Sequence, residues 1–322
     1  MILNLWLRKC VSAMEKNSKI FVAGHRGLVG SSIVRKLQNE GYTNLILRTK
    51  EELDLRNQDA VKDFFNIHRP EYVFLAAAKV GGINYNYTHA ADFIYDNIMI
   101  QTNVIDSAYR SGVKKLLFLG SACIYPKVTP QPIKEEYLLT APLEPSNEGY
   151  ALAKITGMRM CEYYRRQFGF NAISLMPANL YGPNDNFIPE QGHVIPGLIT
   201  KFFNALAKGE PSVTAWGDGS PTREFLYVDD LADACYFLMQ TYDKAEFINV
   251  GSDVEISIKD LSEIVKKAVG FEGEVIWDNT KPNGTPRRKT DNSKLFAMGW
   301  SPKITFEEGL ARTVQWYKNN KH

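Results

Sequence analysis

The sequence predicts an α/β protein: a Rossmann-type doubly wound parallel sheet followed by a smaller, interrupted α/β lobe. Three observations carry that expectation. Short apolar runs such as Ile20-Phe21-Val22-Ala23 and Leu116-Leu117-Phe118-Leu119 read as strands buried on both faces. Longer stretches with apolar residues at helical spacing lie between such runs, so strand and helix alternate along the chain. The first run passes directly into Gly24-His25-Arg26-Gly27-Leu28-Val29-Gly30 and then into a helical stretch, the order of a phosphate-binding crossover.

At 322 residues the chain is long enough for one large α/β domain and a second lobe. A formal charge of +2 is near balance, so no nucleic-acid footprint is expected and a bound anion needs a local site. Cys10, Cys123, Cys161 and Cys235 are scattered, without a Cys-x-x-Cys pair or a ligand cluster with the five histidines. That pattern suits a reducing compartment and argues against disulfides and a metal site. The apolar start Ile2 to Leu7 is short, its basic residues follow it, and no run reaches membrane-spanning length. A soluble cytoplasmic protein is therefore expected. Residues 1–17 read as an N-terminal extension, with Met14 an alternative start; 18–182 as the nucleotide domain, with returns near 225–250; and 183–322 mainly as the substrate lobe.

Taken in order, Gly24, Gly27 and Gly30 let the backbone turn tightly beside a pyrophosphate, with free N–H groups and a helix dipole to bind its charge. The spacing is Gly-x-x-Gly-x-x-Gly, one residue off the Gly-x-Gly-x-x-Gly dehydrogenase fingerprint. The second strand, Leu45 to Leu47, ends in Arg48 where an NAD enzyme carries an acidic residue. Arg48 and Arg26 suit a 2′-phosphate, so NADP(H) is the expected cofactor. Asp54, next to Leu55, is placed to reach the adenine. The strand Tyr72 to Ala78 ends in small residues, Ala77 and Ala78, that leave room for a ligand lying across it. Leu119, Gly120, Ser121 and Ala122 after one strand, and Pro177, Ala178, Asn179 and Leu180 after another, complete the expected cofactor surface with His25, Leu28 and Val29.

Ser121 and Cys123 follow the strand Lys115 to Leu119, at the sheet edge where open α/β sheets bind ligands. Tyr150 and Lys154 are four apart in a helix expected over Tyr150 to Phe168, so both project from one face. A nearby ammonium favours the phenolate, which brings a Tyr of ordinary pKa about 10 nearer to useful proton transfer. This set suits general-acid chemistry on a carbonyl. Beyond Asn184 come a loop holding His193, helices over Val194 to Lys208, Asp229 to Leu238 and Ile258 to Val269, the strand Phe247 to Val250, and a last helix near Phe306 to Tyr317. Ala91 to Ser111 also has helical spacing.

With those residues in place, the chain resembles the GDP-L-fucose synthase family of the extended short-chain dehydrogenase/reductases. The likeness rests on Gly24 to Gly30, Ala78-Lys79-Val80-Gly81-Gly82, Gly120 to Lys127, Leu143-Glu144-Pro145, Asn179 to Pro183, His193-Val194-Ile195-Pro196 and Lys281 to Arg287. It covers nearly everything from Lys19 onward. The resemblance implies an enzyme that takes GDP-4-keto-6-deoxymannose, epimerises C3 and C5, and reduces C4 with NADPH. It implies Ser121 and Tyr150 on the C4 oxygen, Lys154 on the nicotinamide ribose, Cys123 as base and His193 as acid, with His193 also near the cofactor. Arg223 is expected at the diphosphate, with Lys201 and Trp216 beside the GDP. Asn283 stands where relatives have Asp, and Arg288 where Lys is usual. An alternative is a 4-reductase acting on a related GDP-4-keto-6-deoxyheptose or hexose. The resemblance also implies a homodimer through a four-helix interface, for which Ile94, Ile98, Ile100, Tyr163 and Tyr164 supply apolar surface.

Overall fold

Alternate residues of the apolar runs point to opposite faces of one sheet, and helices cover both faces. The computed structural model describes residues 14–189, 191–281 and 283–320; most of the expected extension, with Cys10, and Pro282 of the 281–288 loop lie outside the described residues. The strands are β1 (Ile20–Ala23), β2 (Leu45–Ile46), β3 (Tyr72–Leu75), β4 (Lys115–Leu119), β5 (Ala172–Pro177), β6 (Asn179–Tyr181), β7 (Ser212–Trp216), β8 (Thr222–Tyr227), β9 (Ile248–Val250), β10 (Glu255–Ser257), β11 (Glu274–Asp278) and β12 (Arg287–Arg288). The helices are α1 (Leu28–Asn39), α2 (Gln58–His68), α3 (Ile83–Thr88), α4 (Ala90–Arg110), α5 (Glu148–Phe168), α6 (Val194–Lys208), α7 (Val228–Thr241), α8 (Ile258–Val269), α9 (Ser293–Ala297) and α10 (Phe306–Asn320).

The central sheet has six parallel strands in the order β2-β1-β3-β4-β5-β9. Phe21, Val73, Leu75, Leu116 and Phe118 face α2, α4 and α5, meeting Phe64, Phe65, Val104 and Met158. Ile20, Val22, Phe74, Leu117 and Leu119 face α1 and α7, meeting Ile33, Leu37, Leu231 and Leu238. Chain direction across the sheet reverses between β1 and β3, and such a switch point opens a crevice at the carboxyl ends of the strands. The strand expected over Tyr72 to Ala78 stops at Leu75, which frees Ala76 to Ala78 to run along that crevice. Met14, assigned from sequence to the extension, is buried in the α1–α7 cluster; its carbonyl accepts from the Tyr42 hydroxyl at 3.0 Å.

The second lobe is built on β8, flanked by β10 and β12 and paired with β6, and its core joins Phe202, Phe225, Leu261, Val265 and Leu310. Lys115 opens β4 yet is fully buried. Its Nζ donates to the carbonyls of Leu238 (3.1 Å), Met239 (2.6 Å) and Tyr242 (2.7 Å) at the end of α7. The cation thus caps a helix terminus whose carbonyls lack intrahelical partners and whose dipole is negative. Burial holds its pKa down at about 8. Lys115→Met is expected to lower the unfolding free energy by about 2–3 kcal/mol, because buried carbonyls lose their donor. Urea unfolding followed by circular dichroism checks this; an unmoved midpoint would mean the cap contributes nothing.

Candidate active site

A cavity of about 1300 Å³ runs along the carboxyl ends of β1, β3, β4 and β5 and reaches the 283–288 loop of the second lobe. At one end lies the glycine turn. Gly24 has φ +84°, and a Cβ there would lie 2.8 Å from Ala77 Cα; a Cβ on Gly30 would lie 2.1 Å from the Gly24 carbonyl oxygen. The turn therefore packs against the next strand end at a distance only glycine allows. Gly27 caps α1 without a side-chain bond and no acidic residue lies in the first turn, so N–H groups and dipole are left for an anion. His25 Nδ1 is buried there without a protein partner. These features fit a dinucleotide pyrophosphate. Arg26 and Arg48 line the same end, and the Arg48 guanidinium donates to the Leu47 carbonyl (2.8 Å) and lies 3.5 Å from the His68 ring nitrogen. Asp54 is held by Arg56 at 2.7 Å, and that hydrogen bond keeps its pKa down at about 2.

At the middle of the cavity, Ser121 Oγ accepts the Cys123 N–H at 3.2 Å and opens the single turn Ala122–Ile124, which holds the thiol on the cavity wall. Tyr150 sits in the first turn of α5. Burial, reinforced by the Cys123 charge, raises its pKa, and a hydrogen bond with Ser121 pulls the other way. Lys154 lies one turn on. Its Nζ donates to the Leu119 carbonyl at 2.8 Å and stands 5.7 Å from the Tyr150 ring centroid, and burial holds its pKa down at about 8. The expectation that Lys154 lowers the Tyr150 pKa is thus corrected: spacing brings the two stems together, but the ammonium is engaged elsewhere and burial dominates. Tyr150 stays a protonated donor.

The far end carries two arginines. Arg223 on β8 and Arg288 on β12 are register partners in a parallel pair, so their side chains leave the same face. Arg223 donates to the Thr222 carbonyl (2.7 Å); Arg288 donates to the carbonyls of Ala122 (3.3 Å) and Tyr125 (2.8 Å). Among the described residues neither forms an ion pair. Burial first and Arg288 second bring the Arg223 pKa down to about 10. Glu224 does not neutralise Arg223, since strand alternation sends it to the opposite face. There its oxygens accept from the N–H groups of Ser252 (3.0 Å), Asp253 (2.9 Å) and Thr290 (2.8 Å), the Thr290 hydroxyl (2.6 Å) and Asn292 Nδ2 (2.7 Å).

The cavity gathers the predicted Ser121, Cys123, Tyr150, Lys154, His193, Arg223, Asn283 and Arg288, together with Gly24 to Gly30, Leu55, Ala77, Ala78, Leu119, Gly120 and Pro177 to Leu180. His193 caps α6, and Asn283 Oδ1 accepts from Asp218 N at 2.8 Å. Of the predicted site residues, Ala122, Lys201 and Trp216 lie off its wall. Lys201 donates to Thr214 O at 3.3 Å, and the Trp216 ring is exposed with Lys281 Nζ at 5.8 Å. Lys127, Glu144, Thr285 and Asp185 line the cavity without having been singled out for a role. Glu144 joins two of them, to Lys127 at 3.2 Å and Thr285 Oγ1 at 3.2 Å. Lys127 and Glu144 fall inside the motif segments; Asp185 gave no sequence signal beyond its loop. Among the described residues no group of three His, Cys, Asp or Glu side chains is placed to hold a metal.

A glycine turn at the switch point, facing a Ser–Tyr–Lys set across one crevice, marks a nicotinamide-dependent oxidoreductase of the short-chain type. The chain belongs to the NAD dependent epimerase/dehydratase family, whose model matches residues 20–251. Within that family it is similar to GDP-L-fucose synthase 1 of Arabidopsis thaliana, 60% identical over 96% of this chain and 96% of that protein. It is 49% identical to the GDP-L-fucose synthase of Escherichia coli K12, over 94% of this chain and 97% of that protein. The solved structure of MlghC, a GDP-mannoheptose C4 reductase from Campylobacter jejuni with NADP bound, matches with a TM-score of 0.88. Its identity is 41%, over 95% of this chain and 99% of that chain.

Gly30→Ala is expected to weaken NADPH binding at least about tenfold, or about 1.4 kcal/mol, since the turn must open to admit the methyl group. Fluorescence titration checks this, with a melting curve to establish that the variant folds.

Proposed function

We infer that this chain converts GDP-4-keto-6-deoxymannose into GDP-L-fucose, by epimerisation at C3 and C5 and then reduction at C4, with NADPH as cofactor. The observation that carries the reading is the placing of Cys123, His193, Ser121 and Tyr150 on one cavity wall system that ends in the unpaired Arg223–Arg288 couple. Two guanidinium groups that form no ion pair among the described residues suit a diphosphate, whose oxygens accept forked donors. A ketone at C4 acidifies the hydrogens on both neighbouring carbons, so one oxygen-binding site serves epimerisation and reduction alike.

In this reading Cys123 removes the proton from C3 or C5, and His193 returns one from the opposite face. Tyr150 and Ser121 donate to the C4 oxygen while the enolate exists. NADPH, when bound, supplies the hydride to C4. Tyr150 then gives its proton to the oxygen, a role for which a phenol kept protonated by burial is suited. Lys154, fixed by the Leu119 carbonyl, holds positive charge beside the phenol and the ribose site. Arg26, Arg48 and the glycine turn would hold the cofactor's phosphates. The test is incubation in deuterium oxide with NADPH and freshly made keto sugar. Deuterium at both C3 and C5 with NADPH oxidation is expected; oxidation with neither carbon labelled would instead mean a plain 4-reductase acting on this or a heptose substrate. Cys123→Ser is expected to slow the exchange by roughly a hundredfold or more; unchanged exchange would remove Cys123 as the base.

A homodimer is proposed through α4 and α5, which pack on each other and leave Tyr95 (61% exposed) and Tyr163 (46% exposed) on their outer surface beside Leu152. Tyr164 turns inward instead, donating to Asp106 Oδ1 at 2.8 Å. Light scattering at micromolar concentration should give twice the chain mass, and a monomer mass would reject this interface. A cytoplasmic location is proposed from the free thiols of Cys123, Cys161 and Cys235. Among the described residues no helix is long and apolar enough to cross a membrane.

A further inference from the structure

Asp185 lies in the loop between β6 and α6, and its side chain is only 5% exposed. Its Oδ1 accepts the Asn186 N–H at 2.7 Å, while Oδ2 is buried with no protein partner. An acceptor buried in that condition is costly unless a donor reaches it. Across the loop, His193 Nδ1 stands 4.0 Å from Asp185 Oδ1, on a ring that is 48% exposed. Both residues line the main cavity.

The closeness of the two is built into the backbone. Asn184 has φ +65°, and its side chain donates to Ser31 Oγ at 3.1 Å, which ties the start of the loop to α1. Gly192 packs so tightly against Asn186 that a Cβ would lie 2.1 Å from the Asn186 carbonyl oxygen. The N–H groups of Gln191 and Gly192 both return to Ile188 O at 3.2 Å. The loop therefore folds back on itself and brings residue 185 to residue 193.

We propose that Asp185 is a positioning residue for His193, accepting a hydrogen bond from Nδ1–H so that Nε2 faces the sugar. The proposal deepens the reading above and rests on His193 as the acid. A modest rotation of the ring closes the 4.0 Å gap, as active-site bonds are often long before substrate arrives. During protonation the Nε2–H bond breaks as the enolate electron pair forms a C–H bond on the sugar. The ring is left neutral, with its remaining proton on Nδ1 against the carboxylate. Among the described residues, Asp185 is the one carboxylate within 4.0 Å of this ring. Other ionisable groups that line the cavity include Lys79, Cys123, Lys127, Glu144, Tyr150, Lys154, Arg223 and Arg288, all from other segments of the chain.

The experiment is a pH titration of ¹⁵N-labelled histidine rings in the full chain with NADP bound, comparing wild type with Asp185→Asn. His193→Gln identifies the relevant signal among the five histidines. Asparagine keeps the acceptor for the Asn186 N–H; should that variant fail to fold, Asp185→Ser repeats the measurement. Loss of the carboxylate is expected to shift the neutral His193 ring away from the Nδ1–H tautomer, read from its ¹⁵N signals. Solvent-deuterium exchange into the sugar should fall at least about tenfold, with KM changed by less than about twofold. An unchanged tautomer would overturn the pairing. The ring titration needs no turnover, so it stands apart from the other reading: full exchange in His193→Gln would remove His193 as the acid whatever Asp185 does.

Discussion

The buried Glu224 carboxylate is the interaction on which the substrate end of the cavity depends. Its two oxygens gather donors from β8's neighbours at residues 252–253 and from residues 290–292, segments 28 to 68 positions away in the chain. This ties the strand after the glycine-rich loop at 217–219 to the chain that follows β12. Because strand residues alternate, the same tie turns Arg223 into the cavity, and the β8–β12 register then sets Arg288 beside it. Two cations held side by side repel, and that repulsion adds to burial, the larger cause, in lowering the Arg223 pKa. A rigid, fully hydrogen-bonded network on the back of the strand is what keeps them there. Close approach on that side is visible at Gly251, where a Cβ would lie 2.2 Å from Glu224 Oε1.

Charge is distributed along the cavity by position. Arg26 and Arg48 stand at one end and Arg223 and Arg288 at the other, while the middle holds the Cys123 thiol, the Ser121 hydroxyl, the Tyr150 phenol and Lys154. In the proposed function the anionic ends of cofactor and sugar nucleotide would be gripped away from the reacting carbons. Binding energy spent on remote groups can then orient the sugar without stabilising the ground state of the ketone itself.

Local patterns were legible and long-range ones were not. The run Ile20 to Gly30 specifies strand, turn and helix through neighbours alone, and the structure has β1, the turn and α1 in that order. The strand before Ser121 and the helix bearing Tyr150 were equally readable. Lys115 looked like an ordinary strand-opening lysine, since its partners lie 123 to 127 residues away. Asp185 carries no periodic signal, and its significance arises only when the loop folds back on His193. The misjudged Tyr150 pKa has a similar origin. Helical spacing fixes where Cα–Cβ bonds point, but where a four-carbon stem delivers its ammonium depends on which carbonyl lies within reach.

That last point bears on how one site can serve two reactions. A phenolate would be a base, and a base on the C4 oxygen has nothing to donate to an enolate. Burial at the first turn of α5 is the largest influence on Tyr150 and favours its protonated form, while Lys154, held by the Leu119 carbonyl, keeps its stem beside the phenol. In the proposed function, proton transfer at carbon is left to separate groups, Cys123 as base and His193 as acid, whose placement does not depend on Tyr150 changing its charge. Epimerisation and reduction then call for the same oxygen-binding donors in the same protonation state, and the second reaction follows the first without the site being rebuilt.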